Sequence, residues 1–315
     1  MDEPGAVIDG KYVLGEVVGS GGMATVWRAY EYGSQVPVAI KRIKESIAHD
    51  IGFVELFVEE ARVYTQLIHP IIVQILDFGE DHQGNYFLVM EWVDGLTLAQ
   101  YLAAMHELDL WPPWQLVAAV AIEALKGLGA AHARIDPQGR LAPVFHRDVT
   151  PQNILLSRAG AVKLTDFGLA RAMDRARITE PNVIKGKVGY LAPEMTEAAP
   201  ASPQTDMYAL GVVIWQGLTG LRMFEGKDEV EIFMSAKRAD VMPLAEIRPD
   251  VPVAMSAFID RALAFDPADR FESADQMQRV LANILYSQEV HVGPEVLGHS
   301  VLEIISYRDS GRVSR

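Results

Sequence analysis

Between residues 11 and 41 the chain runs through short blocks of β-branched and aromatic residues broken by glycine, KYVLGEVVGSGGMATVWRAYEYGSQVPVAIK. Such residues suit the pleated, half-buried surface of a sheet, so the stretch predicts three antiparallel strands joined by tight turns. From residue 52 to 69 the period changes. Phe53, Phe57, Ala61, Tyr64 and Ile68 recur three and four apart, which places them on one inward face of a helix. Two further strand-like runs, IIVQILDFG and NYFLVMEWV, are separated by the turn EDHQG. After Gly95 long helices take over: WPPWQLVAAVAIEALKGLGAAHA opens on prolines that a first turn tolerates, with Trp111 and Trp114 expected to cap it. The pattern predicts an α+β chain of two lobes: a small β-rich one over 11–91, a hinge at 91–95, and a larger, mainly helical one over 96–283. In the tail, 284–315, Leu297, Val301, Ile304 and Ile305 form an apolar stripe that suits docking either on the large lobe or on a partner.

Composition narrows the classes. With 50% hydrophobic and 22% charged residues over 315 positions, the chain has enough apolar side chain for a folded core. A formal charge of −14 repels phosphate backbones and anionic lipid, so nucleic acid is a poor partner. The chain has no cysteine, which removes disulfides, thiolate catalysis and cysteine zinc sites, and fits a reducing compartment. The acidic start MDEPGAVIDG lacks the basic flank and apolar run of a signal peptide, so a cytoplasmic location is expected. The longest apolar run, YALGVVIWQGLTGL, is too short to span a bilayer and reads as a buried helix.

Three stretches carry chemistry. In VVGSGGMATV, Gly19, Gly21 and Gly22 let the backbone come close to a ligand and offer its N–H groups to phosphate oxygens. Ala24 stands where a third spaced glycine would be, and a strand follows the loop, which excludes the dinucleotide fingerprint. In VAIK, Lys41 closes an apolar strand; it either snorkels to solvent or meets Glu60, which lies on the inward face of the following helix and needs a cation there. In FHRDVTPQNILL, Asp148 and Asn153 are five apart around Pro151, and AVKLTDFGLA delivers Asp166 shortly after. An amide and a carboxylate are oxygen donors that a hard cation such as Mg²⁺ accepts while keeping waters and phosphate oxygens. The other Asp-Phe-Gly step, at 77–79, has no such loop ahead of it and reads as coincidence.

The ordered set of glycine loop, VAIK, inward Glu, HRDxxxxN, DFG and APE (192–194) resembles the eukaryotic-type protein kinase family over roughly residues 11–283, and is most similar to its bacterial Ser/Thr members. The resemblance implies a bilobal protein-kinase-like fold that binds ATP with Mg²⁺, or Mn²⁺ in its place. It also implies transfer of the γ-phosphoryl group to Ser or Thr hydroxyls of protein substrates. Gly19, Ser20, Gly21, Gly22, Met23 and Ala24 would cover the phosphates, and Lys41, positioned by Glu60, would hold them. Asp148 would accept the hydroxyl proton, and Asn153 and Asp166 would hold the metal. Adenine would lie against Val18, Val26, Ala39 and Leu155, with Met90 behind it and the backbone of Glu91 and Val93 reading its edge. Asp206 would brace the HRD backbone, and Glu194 would pair with Arg270.

Two positions depart from the family in a correlated way. Thr150 stands where the family carries a lysine two residues after the catalytic Asp, and Lys187 where it carries a threonine. One reading returns both a cation and a hydroxyl to the same small volume; the other leaves Lys187 as a solvated loop residue. Thr179 is the one Ser or Thr hydroxyl between DFG and APE and is the expected autophosphorylation site, with Arg147 as receiver of the phosphate. A pseudokinase acting as a nucleotide-gated binding module is the rival reading.

Overall fold

The computed structural model describes the chain apart from residues 1, 23, 168–187, 198, 289–291 and 313–315, and apart from the side chains of 46, 229 and 312. The described chain divides between Val93 and Asp94 into two compact units.

The first unit is built on a six-stranded antiparallel sheet of order β1-β2-β3-β4-β6-β5, with β1 Val7–Ile8, β2 Tyr12–Ser20, β3 Ala24–Glu31, β4 Pro37–Ile43, β5 Ile75–Glu80 and β6 Tyr86–Glu91. The three expected strands are β2, β3 and β4; the two-residue edge strand β1 is too short to show in a periodic pattern. Alternation puts Tyr12, Leu14, Trp27, Ala29, Val38, Ile40, Phe87 and Val89 on one face, where they form a buried cluster with Ile8. Helix α1 is a single turn, Glu45–Ala48, and α2 runs Ile51–Tyr64. Asp50 caps α2 by accepting from the Phe53 N–H at 3.0 Å, and Phe53, Phe57, Glu60, Ala61 and Tyr64 face inward. Ile68 does not join them. The helix stops at Tyr64, and Ile68 is 84% exposed, because the period that seemed to continue runs past the end of the helix. Strand β5 likewise starts at Ile75; Ile71, Ile72 and Val73 are buried ahead of it.

In the second unit a small sheet, β7 Gly95–Thr97, β8 Ile154–Ser157 and β9 Val162–Leu164, accompanies helices α3 Leu98–Glu107, α4 Trp114–His132, α5 Pro203–Thr219, α6 Glu229–Arg238, α7 Leu244–Ile247, α8 Val253–Ala262, α9 Ala274–Ser287 and α10 Pro294–Tyr307. Thr97 and Gln100 form a reciprocal cap on α3, and Ser202 and Thr205 do the same for α5. The central helix α4 packs on α5 and α9. Among the described helices it is the one long and apolar enough to cross a membrane, yet 67% of that window is buried in the lobe. Trp114 is its first residue and is buried, whereas Trp111 caps nothing: it lies ahead of the helix, half exposed.

Helix α10 lies against β7, β8 and α3 with Leu297, Val301, Ile304 and Ile305 buried, so the apolar stripe of the tail docks on this lobe. The Tyr101 and Ser300 hydroxyls meet at 2.7 Å. Two glycines permit the approach: a Cβ on Gly160, whose φ is +79°, would stand 1.7 Å from the Pro294 oxygen, and one on Gly298 would stand 2.8 Å from the Arg158 oxygen.

Candidate active site

In the first unit, Gly19 pairs with Val26 and Ser20 with Thr25, and the Gly21 N–H donates to the Ala24 oxygen at 2.9 Å to close the turn. Ser20, Gly21 and Gly22 are exposed. The turn itself does not require glycine at 19 or 21, because neither has a positive φ and a Cβ on either would meet nothing closer than 3.9 Å. That leaves a bare backbone open to an anion. Lys41 pairs with both Val26 and Leu88, and Ala39 pairs with Met90, so Val26, Ala39, Lys41 and Met90 share the sheet face opposite the apolar cluster. Lys41 is buried to 9% exposure and Glu60, on α2, to 8%. Glu91 ends β6 with its carboxylate accepting from the Gln74 N–H at 2.9 Å, while Val18 is largely exposed.

In the second unit the loop from Phe145 to Asn153 is built around a buried carboxylate. Asp206, at the start of α5, accepts from the main-chain N–H groups of His146 at 2.8 Å and Arg147 at 2.7 Å, and its Oδ2 lies 2.9 Å from His132 Nε2. Burial alone would raise its pKa, but the His132 contact and the backbone donors outweigh that and hold it below the ordinary carboxylate value. These bonds support Arg147 at φ 64°, a left-handed backbone that costs roughly 1–3 kcal/mol for a residue other than glycine. The strained residue turns the chain so that Asp148 follows, 7% exposed. Asn153 Nδ2 donates to the Asp148 carboxylate Oδ2 and to its main-chain oxygen, each at 2.8 Å. With the amide nitrogen so committed, the Asn153 oxygen is the atom left for a cation.

The Thr165 N–H donates to the main-chain oxygen of Asn153 at 3.0 Å, and Ile154 pairs with Leu164, so Asn153 and Asp166 come to the same end of the β8–β9 hairpin. Asp166 also has a left-handed φ of 60°. Leu155 follows one residue into β8. One carboxylate and one amide oxygen suit a hard cation that keeps other ligands. Thr150 is buried at 2% exposure, and its hydroxyl has no hydrogen-bond partner among the described residues. Lys187, Thr179 and Met23 lie outside the described residues. His146, which sequence reading passed over, is fully buried; its Nδ1 accepts from the Asp148 N–H at 3.4 Å and its ring lies 4.4 Å from that of Phe167. Farther along, Arg270 makes a two-point bridge to Glu194, 2.8 Å on each side.

The earlier Asp-Phe-Gly step is a strand feature. Asp77, on β5, accepts from Lys11 Nζ at 2.9 Å, the Tyr12 hydroxyl at 3.0 Å and the Phe78 N–H at 2.9 Å.

A sheet lobe carrying a buried Lys and Glu, and a helical lobe carrying an Asp-Asn loop braced by a buried Asp, define a protein kinase domain. The protein kinase domain model matches residues 12–281, and the chain belongs to that family. It is 36% identical to the serine/threonine-protein kinase PrkC of Bacillus subtilis, over 87% of this chain and 40% of that protein. It is 37% identical to the serine/threonine-protein kinase PknL of Mycobacterium tuberculosis, over 86% of this chain and 65% of that one. The tyrosine-protein kinase MasK of Myxococcus xanthus is 34% identical over 88% of this chain and 43% of its own length. The chain therefore spans less than half of PrkC and of MasK. Among solved structures, the PknI kinase domain of Mycobacterium tuberculosis superposes with a TM-score of 0.68 at 25% identity, covering 90% of this chain and 99% of that one.

Proposed function

We propose that the chain is an active, ATP- and Mg²⁺-dependent kinase that phosphorylates Ser and Thr hydroxyls of cytoplasmic proteins. The observation that carries this reading is the Asp148–Asn153 pair, held by two hydrogen bonds on a loop whose strain is supported by Asp206. A merely nucleotide-gated module has no need for a base braced in this way. In this reading Lys41, positioned by Glu60, holds the α and β phosphates, and the backbone of 19–24 covers them. Asp148 takes the proton from the acceptor hydroxyl as it attacks. Asn153 and Asp166 hold Mg²⁺, which neutralises charge on the phosphates when bound. Adenine lies against Val18, Val26, Ala39, Met90 and Leu155, and its edge is read by the backbone of Glu91 and Val93. Phosphorylation of Thr179, with Arg147 receiving the phosphate, acts as a switch on the stretch between DFG and APE.

Single-turnover transfer from labelled ATP, with Asp148→Asn as control, tests the reading. Wild type transfers and the variant does not; nucleotide binding without transfer in both makes the chain a pseudokinase. Phosphoamino-acid analysis of the product separates Ser/Thr from Tyr, the specificity in MasK's name.

A further inference from the structure

Helix α10 lies wholly beyond residue 281, where the match to the protein kinase domain model ends. It packs on β7, β8 and α3, next to the hairpin that carries Leu155 and ends on Asn153 and Asp166. The grip is concentrated at the turn joining β8 to β9. A Cβ on Gly160 would stand 1.7 Å from the Pro294 oxygen, and one on Gly298 would stand 2.8 Å from the Arg158 oxygen. The same turn is held by Asp94, whose main-chain oxygen accepts from the Arg158 N–H at 2.9 Å and whose carboxylate lies 3.2 Å from the Arg158 Nε. Beside it Gly95 pairs with Ser157, so closely that a Cβ on Gly95 would stand 2.0 Å from the Leu156 oxygen. Three glycines thus let two chain segments, 94–95 and 294–298, close on one turn backbone to backbone. The rest of α10 seals the contact: Leu297, Val301, Ile304 and Ile305 are buried, Val301 completely, and the Ser300 hydroxyl meets that of the buried Tyr101 at 2.7 Å.

The hairpin so gripped is short, paired at Ile154 with Leu164, Leu155 with Lys163 and Leu156 with Val162. Strands of that length have little stability of their own, and what packs on them fixes their direction. Alternation buries Ile154, Leu156, Val162 and Leu164 on one face and leaves Leu155 and Lys163 half exposed on the other. Clasped at its turn, the hairpin delivers Asn153 and Asp166 at its open end, about 13 Å away along four extended residues. A tilt of the clasped end is carried to the open end, and Mg²⁺ demands near-ideal octahedral placement of its ligands. Resting on the kinase reading above, we infer that Gly160, Gly298 and the buried stripe of α10 are positioning residues for nucleotide and metal: docked α10 fixes the turn and thereby sets where Asn153, Leu155 and Asp166 stand.

Calorimetric titration of the full chain with ATP and Mg²⁺, beside steady-state transfer to a Ser-containing peptide, tests the inference. Gly298→Ala should weaken ATP binding and raise the ATP KM roughly tenfold, the low end of what losing the groups that orient metal ligands costs. Its kcat at saturating ATP and Mg²⁺ and its peptide KM should stay near the wild-type values. Val301→Asp, which sets a charge in the buried stripe and so releases the helix, should shift ATP binding in the same direction and further. Leu281→Ala supplies the comparison. Leu281 is fully buried on α9, which packs on α4 and α8, so its truncation should lower the unfolding midpoint and leave the ATP KM where it was. An ATP KM unchanged in both α10 variants, or raised equally by Leu281→Ala, reduces α10 to a purely structural element and overturns the inference. A wild type that binds ATP and Mg²⁺ but transfers no more than Asp148→Asn defeats the kinase reading alone, because the binding shifts of the two α10 variants still decide this one.

Discussion

Asn153 turns its amide nitrogen onto Asp148, reaching the carboxylate Oδ2 and the main-chain oxygen at 2.8 Å each. In the proposed reading one side chain thereby orients the base and offers its side-chain oxygen to the metal. Asn153→Ala should lower single-turnover transfer about a hundredfold, the usual cost of losing a group that orients another at a metal site. It should also raise the Mg²⁺ concentration for half-maximal rate. An unchanged Mg²⁺ requirement would remove Asn153 from the metal site.

Thr150 and Lys187 invite a double-mutant cycle. The Thr150 hydroxyl is buried without a partner among the described residues, beside Asp148 in the chain. A unit charge about 4 Å from the transferring phosphoryl group is worth up to ~4 kcal/mol at an effective dielectric near 20, approaching a thousandfold in rate. Lys187→Thr should cripple transfer, and Thr150→Lys added to it should restore part of the rate. Independent, additive effects would show that the two positions are not coupled.

The pH dependence of stability should carry the mark of His146. Burial holds its pKa below the ordinary 6.5, against the opposing pull of the Asp206, Asp148 and Asp166 carboxylates. Its bond from the Asp148 N–H also needs an unprotonated Nδ1. As pH falls below 6.5 the unfolded imidazole takes a proton that the folded one refuses, so stability is lost from there down toward the folded pKa. The slope approaches ~1.4 kcal/mol per pH unit for one proton. Urea unfolding of wild type and His146→Gln between about pH 5 and 7 measures it, and parallel profiles would mean that the buried ring titrates normally.

Docking of α10 depends on two missing side chains. Gly298→Ala puts a Cβ 2.8 Å from the Arg158 oxygen, a backbone atom that cannot swing aside. Overpacking of this kind costs typically ~1–3 kcal/mol, so the midpoint of urea or thermal unfolding should fall. Gly160→Ala should cost more, because it adds a Cβ at 1.7 Å from Pro294 to a backbone with φ +79°. Unchanged stability in both variants would mean that α10 is not held against this hairpin.

The sequence alone determined the family and the bilobal class, because phosphoryl-transfer chemistry demands particular residue types at particular spacings and tolerates few others. Glu60 was legible as an inward carboxylate from helical period alone, and it is buried. The same period misplaced Ile68, since hydrophobicity continues for one more turn than the helix does. Local pattern also gave no sign that Arg42 would be buried between Asp2, 40 residues earlier, and Asp81, 39 later, at 2.7–2.9 Å. It could not say that Asp77 ties β5 to β2, that Trp111 lies on Arg248 rather than capping α4, or that the tail packs on β7 and β8. Each of these depends on what stands opposite a residue across space. Spacing along a chain constrains near neighbours and helix faces, whereas long-range partners are chosen only when the elements pack and a buried charge or ring must find its complement.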